Sequence, residues 1–169
     1  MSGWLNDLRE CCAPVFPVAE RFTSTYAMCS LDAFAHGEQG ARALGELLVA
    51  FAEREDVSDH QEWEFVEGAG ALLALLLAKH ISVGRIVSRK GVCRLHLGKH
   101  GWFDPFAAIE QSLQAQDVQK AFARQLALAE AEGAGKGAVA RVLAEFSSQL
   151  NQAFPTLAIG DVFECDVVL

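Results

Sequence analysis

The sequence contains no apolar stretch long enough to cross a membrane. Its most apolar run, Ala69–Ala78, has ten residues, whereas a membrane-spanning helix needs about 20. The opening MSGWLNDLRE includes Asp7, Arg9 and Glu10, whereas a secretory signal peptide has a basic start and then an apolar stretch. We therefore expect a cytoplasmic protein without a membrane partner.

The sequence also lacks any cysteine pattern typical of disulfides or redox chemistry. Its five cysteines are an odd number at irregular spacing, and no C-x-x-C motif occurs. In a reducing compartment such residues are mostly small buried thiols. We expect five free thiols: Cys11, Cys12, Cys29, Cys93 and Cys165.

No motif specifies a chemical reaction. The G-x-S-x-G turn of serine hydrolases is absent, and the five histidines are scattered without a recognisable catalytic partner. The loop GAGKG (133–137) is not a P-loop, because Glu130 occupies the first glycine position and Gly137 replaces the Ser or Thr. We interpret the chain as non-enzymatic and expect no cofactor.

The segment CRLHLGKHGWFDPF (93–106) contains four possible metal ligands, Cys93, His96, His100 and Asp104. Side chains alternate between faces along a strand, so Cys93 and His96 would lie on opposite sides. Asp104 precedes a proline and is typical of a helix cap. We therefore predict a hairpin running into a helix, and no metal site.

The composition indicates one globular domain over 1–169. The chain is 51% hydrophobic and 21% charged, with a formal net charge of −8. An acidic protein is a poor match for nucleic acid, whose phosphates attract basic surfaces. The abundance of Ala, Leu and Gly is typical of bacterial proteins, and we expect a bacterial origin.

Apolar spacing predicts several helices. Residues 41–54 have the pattern of an amphipathic helix. A second helix is predicted from about 60 to 79. At its start only one side is apolar, with Trp63 and Val66 facing inward, and further along it is apolar on all sides. Further helices are predicted after Asp104 and over 136–154. The apolar stripe slips after Leu113 and Asp117 can cap a further segment, which indicates two helices or a kink. Phe22 and Tyr26 fit a helical turn that begins at Pro17, but the β-rich composition of 22–30 favours a strand.

The remaining segments predict strands. Residues 81–88 and 92–98 are β-rich and are joined by a turn at Gly91, which indicates a hairpin. In residues 159–168, alternate side chains would point to opposite faces, as in a half-buried strand. We therefore predict an α+β fold that is mostly helical, in which a central buried helix lies beside a small antiparallel sheet made of the hairpin and the C-terminal strand.

Charge is distributed unevenly along the chain. Residues 81–101 carry five basic residues and no acid, whereas residues 1–60 carry ten acids and four bases. The basic hairpin is a candidate binding strip, although basic residues also keep strand edges from aggregating. Its candidate residues are Arg85, Arg89, Lys90, Arg94, His96, Lys99, His100 and Trp102.

Two functions are consistent with these features. The first is a protein–protein interaction module, such as an adaptor, a chaperone-like protein or an inhibitor-type partner. It would bind another protein, or itself in a homodimer. The contact would be made by the acidic helices, including EREDVSD (53–59), with the basic hairpin as a second contact. The second is a small-anion-binding protein or small enzyme with a pocket around Arg85, Arg94, His96 and His100.

Overall fold

A computed structural model gives the backbone and, for most of it, the side chains. The backbone is described for residues 15–34, 37–80, 83–89, 92–97 and 101–134. Side chains are described for residues 15–34, 39–78 and 102–131.

The described backbone consists mainly of helices. In chain order the elements are α1 (Phe16–Phe22), a π-helical turn (Thr23–Ala27), α2 (Leu31–Phe34), α3 (Gly37–Ala52), α4 (Asp59–His80), β1 (Val83–Arg89), β2 (Val92–Leu97), β3 (Gly101–Phe103), α5 (Pro105–Gln114) and α6 (Val118–Ala134).

Helix α4 is the centre of the fold, as the sequence predicts. Every residue from Ala69 to Leu77 is buried, and α1, α3 and α5 all pack against this helix. Leu72, Leu73 and Leu75 are completely enclosed, and burial of each side chain contributes about 2 kcal/mol. The apolar character of Ala69–Leu77 on all sides thus matches the complete enclosure of this half of α4.

Three helices begin at capping residues, and two of these residues, Asp104 and Asp117, are indicated by the sequence. The Ser58 hydroxyl accepts from the Gln61 amide while the Gln61 side chain accepts from the Ser58 amide, which is a reciprocal capping box. Asp104 Oδ1 accepts from the amides of Phe106 and Ala107 at 3.0 Å each. Asp117 Oδ1 accepts from the Lys120 amide at 3.0 Å, which confirms that α5 and α6 are separate helices.

The predicted α+β fold class is wrong. Helices account for 82% of the residues described with their side chains, and this set contains one short strand, Trp102–Phe103, and no sheet. The backbone of β1 pairs antiparallel with β2, and β2 with β3, which agrees with the predicted hairpin. Apart from Phe103, however, the described core residues lie on helices or their flanking turns. Helices supply the core, so the fold is predominantly helical.

The predicted strand over 22–30 is also wrong. These residues instead complete α1 and form the π-helical turn. Phe22 and Tyr26 are four residues apart, and their ring centroids lie 5.0 Å apart and about 5 Å from that of Phe65. Such a pair shares one side of a helical turn. Packing against α4 therefore overrides the β preference of the Thr and Tyr residues.

Two predicted elements lie outside the described residues. They are the helix over 136–154 and the strand over 159–168.

Close helix packing in the core depends on glycine. A Cβ atom built on Gly68 of α4 would lie 2.8 Å from both Cβ and Cγ of Phe22 on α1. Phe22 is buried, with 3% of its surface exposed, and its Cβ cannot move without a shift of the α1 backbone. Gly68 therefore sets the distance between α1 and α4. Gly45 of α3 is less restrictive, because its Cβ would lie 3.2 Å from Cδ1 of Phe122 on α6.

We expect Gly68→Ala to lower the free energy of unfolding by about 2 kcal/mol, because the added methyl group forces α1 away from α4. Gly45→Ala is the matched control and should change stability by less than about 0.5 kcal/mol, since the better helix propensity of Ala offsets the tight contact. Urea unfolding monitored by circular dichroism measures both. Equal stability of the two variants would contradict this packing.

We expect Asp104→Ala to lower the free energy of unfolding by about 1 kcal/mol, because two amides at the start of α5 lose their acceptor. Asp104→Asn keeps an oxygen acceptor and should be nearly as stable as the wild type. The same unfolding assay compares them. If the Ala and Asn variants were indistinguishable, the cap would contribute nothing.

Candidate functional site

Four aromatic rings form the scaffold of the candidate site. Phe51 stacks on Phe65 with centroids 3.8 Å apart, and Tyr26 meets Phe65 edge-on at 5.0 Å. Phe22 completes the group 5.2 Å from Phe65. These rings join α1, the π-helical turn, α3 and α4, so they fix the positions of the surrounding surface residues.

A cleft of about 150 Å³ lies beside these rings, between α1 with its π-helical turn and the first half of α4. One wall carries Val18, Arg21, Phe22, Thr25 and Tyr26, and the other carries Glu64, Glu67 and Gly68. Because Gly68 has no side chain, Phe22 can reach the α4 backbone at the end of the cleft.

An acidic surface with an exposed tryptophan borders the cleft. We call it the Trp63 surface and define it as residues 53–64, all of which are exposed except the half-buried Val57. Trp63 has 60% of its surface exposed, although tryptophan is usually well buried. The surface carries six carboxylates and one strong base, Arg54; the carboxylates belong to Glu53, Glu55, Asp56, Asp59, Glu62 and Glu64.

The charged side chains of the Trp63 surface make only weak contacts in the described structure. His60 Nε2 lies 3.5 Å from Glu64 Oε1, but both side chains are more than half exposed, and such pairs contribute little. Arg54 places its guanidinium carbon 5.8 Å from the centroid of the Phe51 ring, which is a cation–π contact at the edge of the aromatic scaffold.

The π-helical turn ends in a strained residue. Met28 has φ 53°, the one positive φ among the described non-glycine residues, and its side chain is 90% exposed. The Met28 amide donates to the Thr23 carbonyl. Both π-helical turns and left-handed residues of this kind occur often at functional sites. A depression of about 570 Å³ beside Met28 is lined by Glu20, Ser24, Met28, Cys29, Ser30 and Leu31.

This site was not predicted from the sequence. The predicted inward position of Trp63 is wrong: Phe65 and the half-buried Val66 face the core, and Trp63 faces outward. The acidic neighbours of Trp63 in the sequence, Glu62 and Glu64, were the available sign that this stretch faces solvent. The acidic contact predicted at 53–59 does lie on the surface.

For most of the predicted binding residues of the basic hairpin, the structure does not describe the side chain. Trp102 is the exception and is 52% exposed on β3. The backbone register places His96 opposite Arg85 on one side and opposite Trp102 on the other. The side chains of Arg85, Arg89, Lys90, Arg94, His96, Lys99 and His100 are not described. Anion binding by these residues stays a prediction.

The possible metal ligands of 93–106 do not form a site among the described side chains. Asp104 serves as a helix cap, and the side chains of Cys93, His96 and His100 lie outside the described set. Among the described side chains, no group of three or more His, Cys, Asp or Glu residues is placed to hold a metal ion. The described helices also include none with the length and apolar character needed to cross a membrane.

The chain matches no protein family model, and no curated protein or solved structure is significantly similar to it.

We expect Met28→Gly to raise the free energy of unfolding by about 0.5 kcal/mol, because glycine adopts positive φ without the cost that Met28 incurs. Met28→Ala removes the same exposed side chain but keeps the backbone strain, so its free energy of unfolding should not exceed that of the wild type. Thermal unfolding of both variants measures the difference. A loss of stability in Met28→Gly would show that the Met28 side chain, and not its backbone, matters for the fold.

Proposed function

We propose that the protein is a non-enzymatic, cytoplasmic interaction module that binds a basic segment of another protein through the Trp63 surface. The observation that supports this is the exposure of Trp63 within a run of carboxylates. Tryptophan is enriched among the residues that dominate binding energy at interfaces. Covering its exposed ring removes apolar surface from water, which favours binding.

The charge of the Trp63 surface determines the chemistry of the partner. Six carboxylates and one arginine give this surface a formal charge of −5, within a chain whose net charge is −8. Such a field attracts basic partners, speeds their association and disfavours acidic ones. The indole ring can also bind a cation on its face. A segment rich in lysine or arginine would be attracted by the carboxylates and could also place a cation on the indole ring.

The backbone of α4 holds Trp63 in place for binding. Phe65, two residues further along α4, is 1% exposed and stacked on Phe51. The direction of the helix face is therefore fixed by the core before any partner arrives. A surface that is ordered in advance loses little conformational entropy on binding.

We expect Trp63→Ala to weaken binding to basic peptides by about tenfold or more while leaving the thermal unfolding midpoint unchanged, because the ring is exposed. Peptides are first selected from a random displayed library on the immobilised wild-type protein, and affinities are then measured by fluorescence anisotropy. Trp102→Ala is the matched control, since it removes a similarly exposed tryptophan elsewhere.

Selection of acidic peptides would contradict this proposal and would favour the basic hairpin as the binding surface. Equal losses in Trp63→Ala and Trp102→Ala would also contradict it, because the effect would then not belong to the Trp63 surface.

A further inference from the structure

We infer that the cleft between α1 and α4 accepts the guanidinium group of one arginine side chain of the bound basic segment. The inference rests on the proposed function, since the arginine belongs to the partner. It identifies the cleft as the part of the surface that selects a particular sequence, whereas Trp63 and the surrounding carboxylates attract basic segments in general.

The cleft is continuous with the Trp63 surface along α4. Trp63 and Glu67 are four residues apart, and Glu64 and Glu67 are three apart, so all three lie on adjoining parts of one helix face. Both carboxylates line the cleft. A partner segment that covers Trp63 therefore passes directly over the cleft opening.

The carboxylate of Glu67 is available for a partner. Glu67 is half-buried, and within the described part of the chain it has no hydrogen bond or ion pair. A partly buried carboxylate without a donor gains more from a cation than a fully exposed one, because less water competes. The planar guanidinium group can donate to carboxylate oxygens through two N–H groups at once.

The shape and the aromatic lining of the cleft favour arginine. Its volume of about 150 Å³ is below the roughly 300–1,000 Å³ of pockets that enclose drug-sized molecules, but it is suited to the end of one side chain. Phe22 and Tyr26 line it, and guanidinium groups stack on aromatic rings. The same scaffold already holds one guanidinium group, that of Arg54 beside Phe51.

Arg21 limits the cleft to a single cation. It lines the α1 wall opposite the two carboxylates and forms no ion pair with them in the described structure. Two carboxylates and one guanidinium group give the lining a net charge of −1, which one bound arginine neutralises. Arg21 is then free to donate to a backbone carbonyl of the bound segment.

Titration of the isotopically labelled full chain, followed by NMR, tests this inference. The probe is Nα-acetyl-arginine amide, which has the side chain but no free charge on its main chain. It should shift the amide signals of Thr25, Glu67 and Gly68 saturably, with a dissociation constant near ~1 mM. Nα-acetyl-citrulline amide, its neutral isostere, should produce no saturable shift.

Two glutamine variants separate the cleft from general acidity. Glu67→Gln should weaken binding of the arginine probe by about fivefold, as expected for a partly buried ion pair. Glu110→Gln removes the same charge from an exposed position on α5 that lies outside both the cleft and the Trp63 surface, and should weaken binding by less than about twofold. Unfolding midpoints confirm that both variants are folded.

Three results would overturn the inference: equal binding of the citrulline probe, equal weakening by the two glutamine variants, or tighter binding of free arginine than of the capped probe. The last would show that the cleft binds a free amino acid. Failure of the proposed function is distinguishable, because Trp63→Ala would then leave peptide binding unchanged while the arginine probe still bound. Peptide binding without probe binding would overturn the cleft inference alone.

Discussion

The enclosure of α4 is the constraint on which the rest of the described structure depends. Residues Ala69–Leu77 leave no polar side on this helix, so other elements must cover it on every side. Helices α1, α3 and α5 do so, and the small residues of α4 let them approach closely. Gly68 admits Phe22, and Gly70 would place a Cβ atom 2.9 Å from Cγ of Phe106. Burial of an apolar helix thus determines where its neighbours lie.

The same helix presents a surface at its other end. Before Gly68, the helix face turned from the core carries carboxylates and Trp63, while Phe65 still points inward and anchors the aromatic scaffold. Because Trp63 is attached to a helix fixed by its buried half, the exposed ring has a defined direction. The cleft follows from the same geometry, since it lies where α1 and the π-helical turn meet this first half of α4.

The predictable parts of the structure are those with local signals. The apolar run in α4, the caps at Asp104 and Asp117 and a break between α5 and α6 could all be predicted from adjacent residues. Neighbouring residues could not show that the strand predicted over 22–30 is wrong, because the helical conformation of this segment depends on contacts with Phe65, more than 30 residues away. The α+β class was wrong because β-rich segments do not show by themselves which elements supply the core.

The candidate site was less predictable than the fold, because its two walls come from distant segments and Trp63, as an aromatic residue, is of a type usually found in the core.

Amide hydrogen exchange of the free protein and of its complex with a selected basic peptide tests both the enclosure of α4 and the position of the binding surface. We predict that the amides of 69–77 exchange slowest among the described helices, because α4 is enclosed there. Peptide binding should add protection over 59–67. Fast exchange at 69–77, or new protection confined to 81–101, would contradict the account.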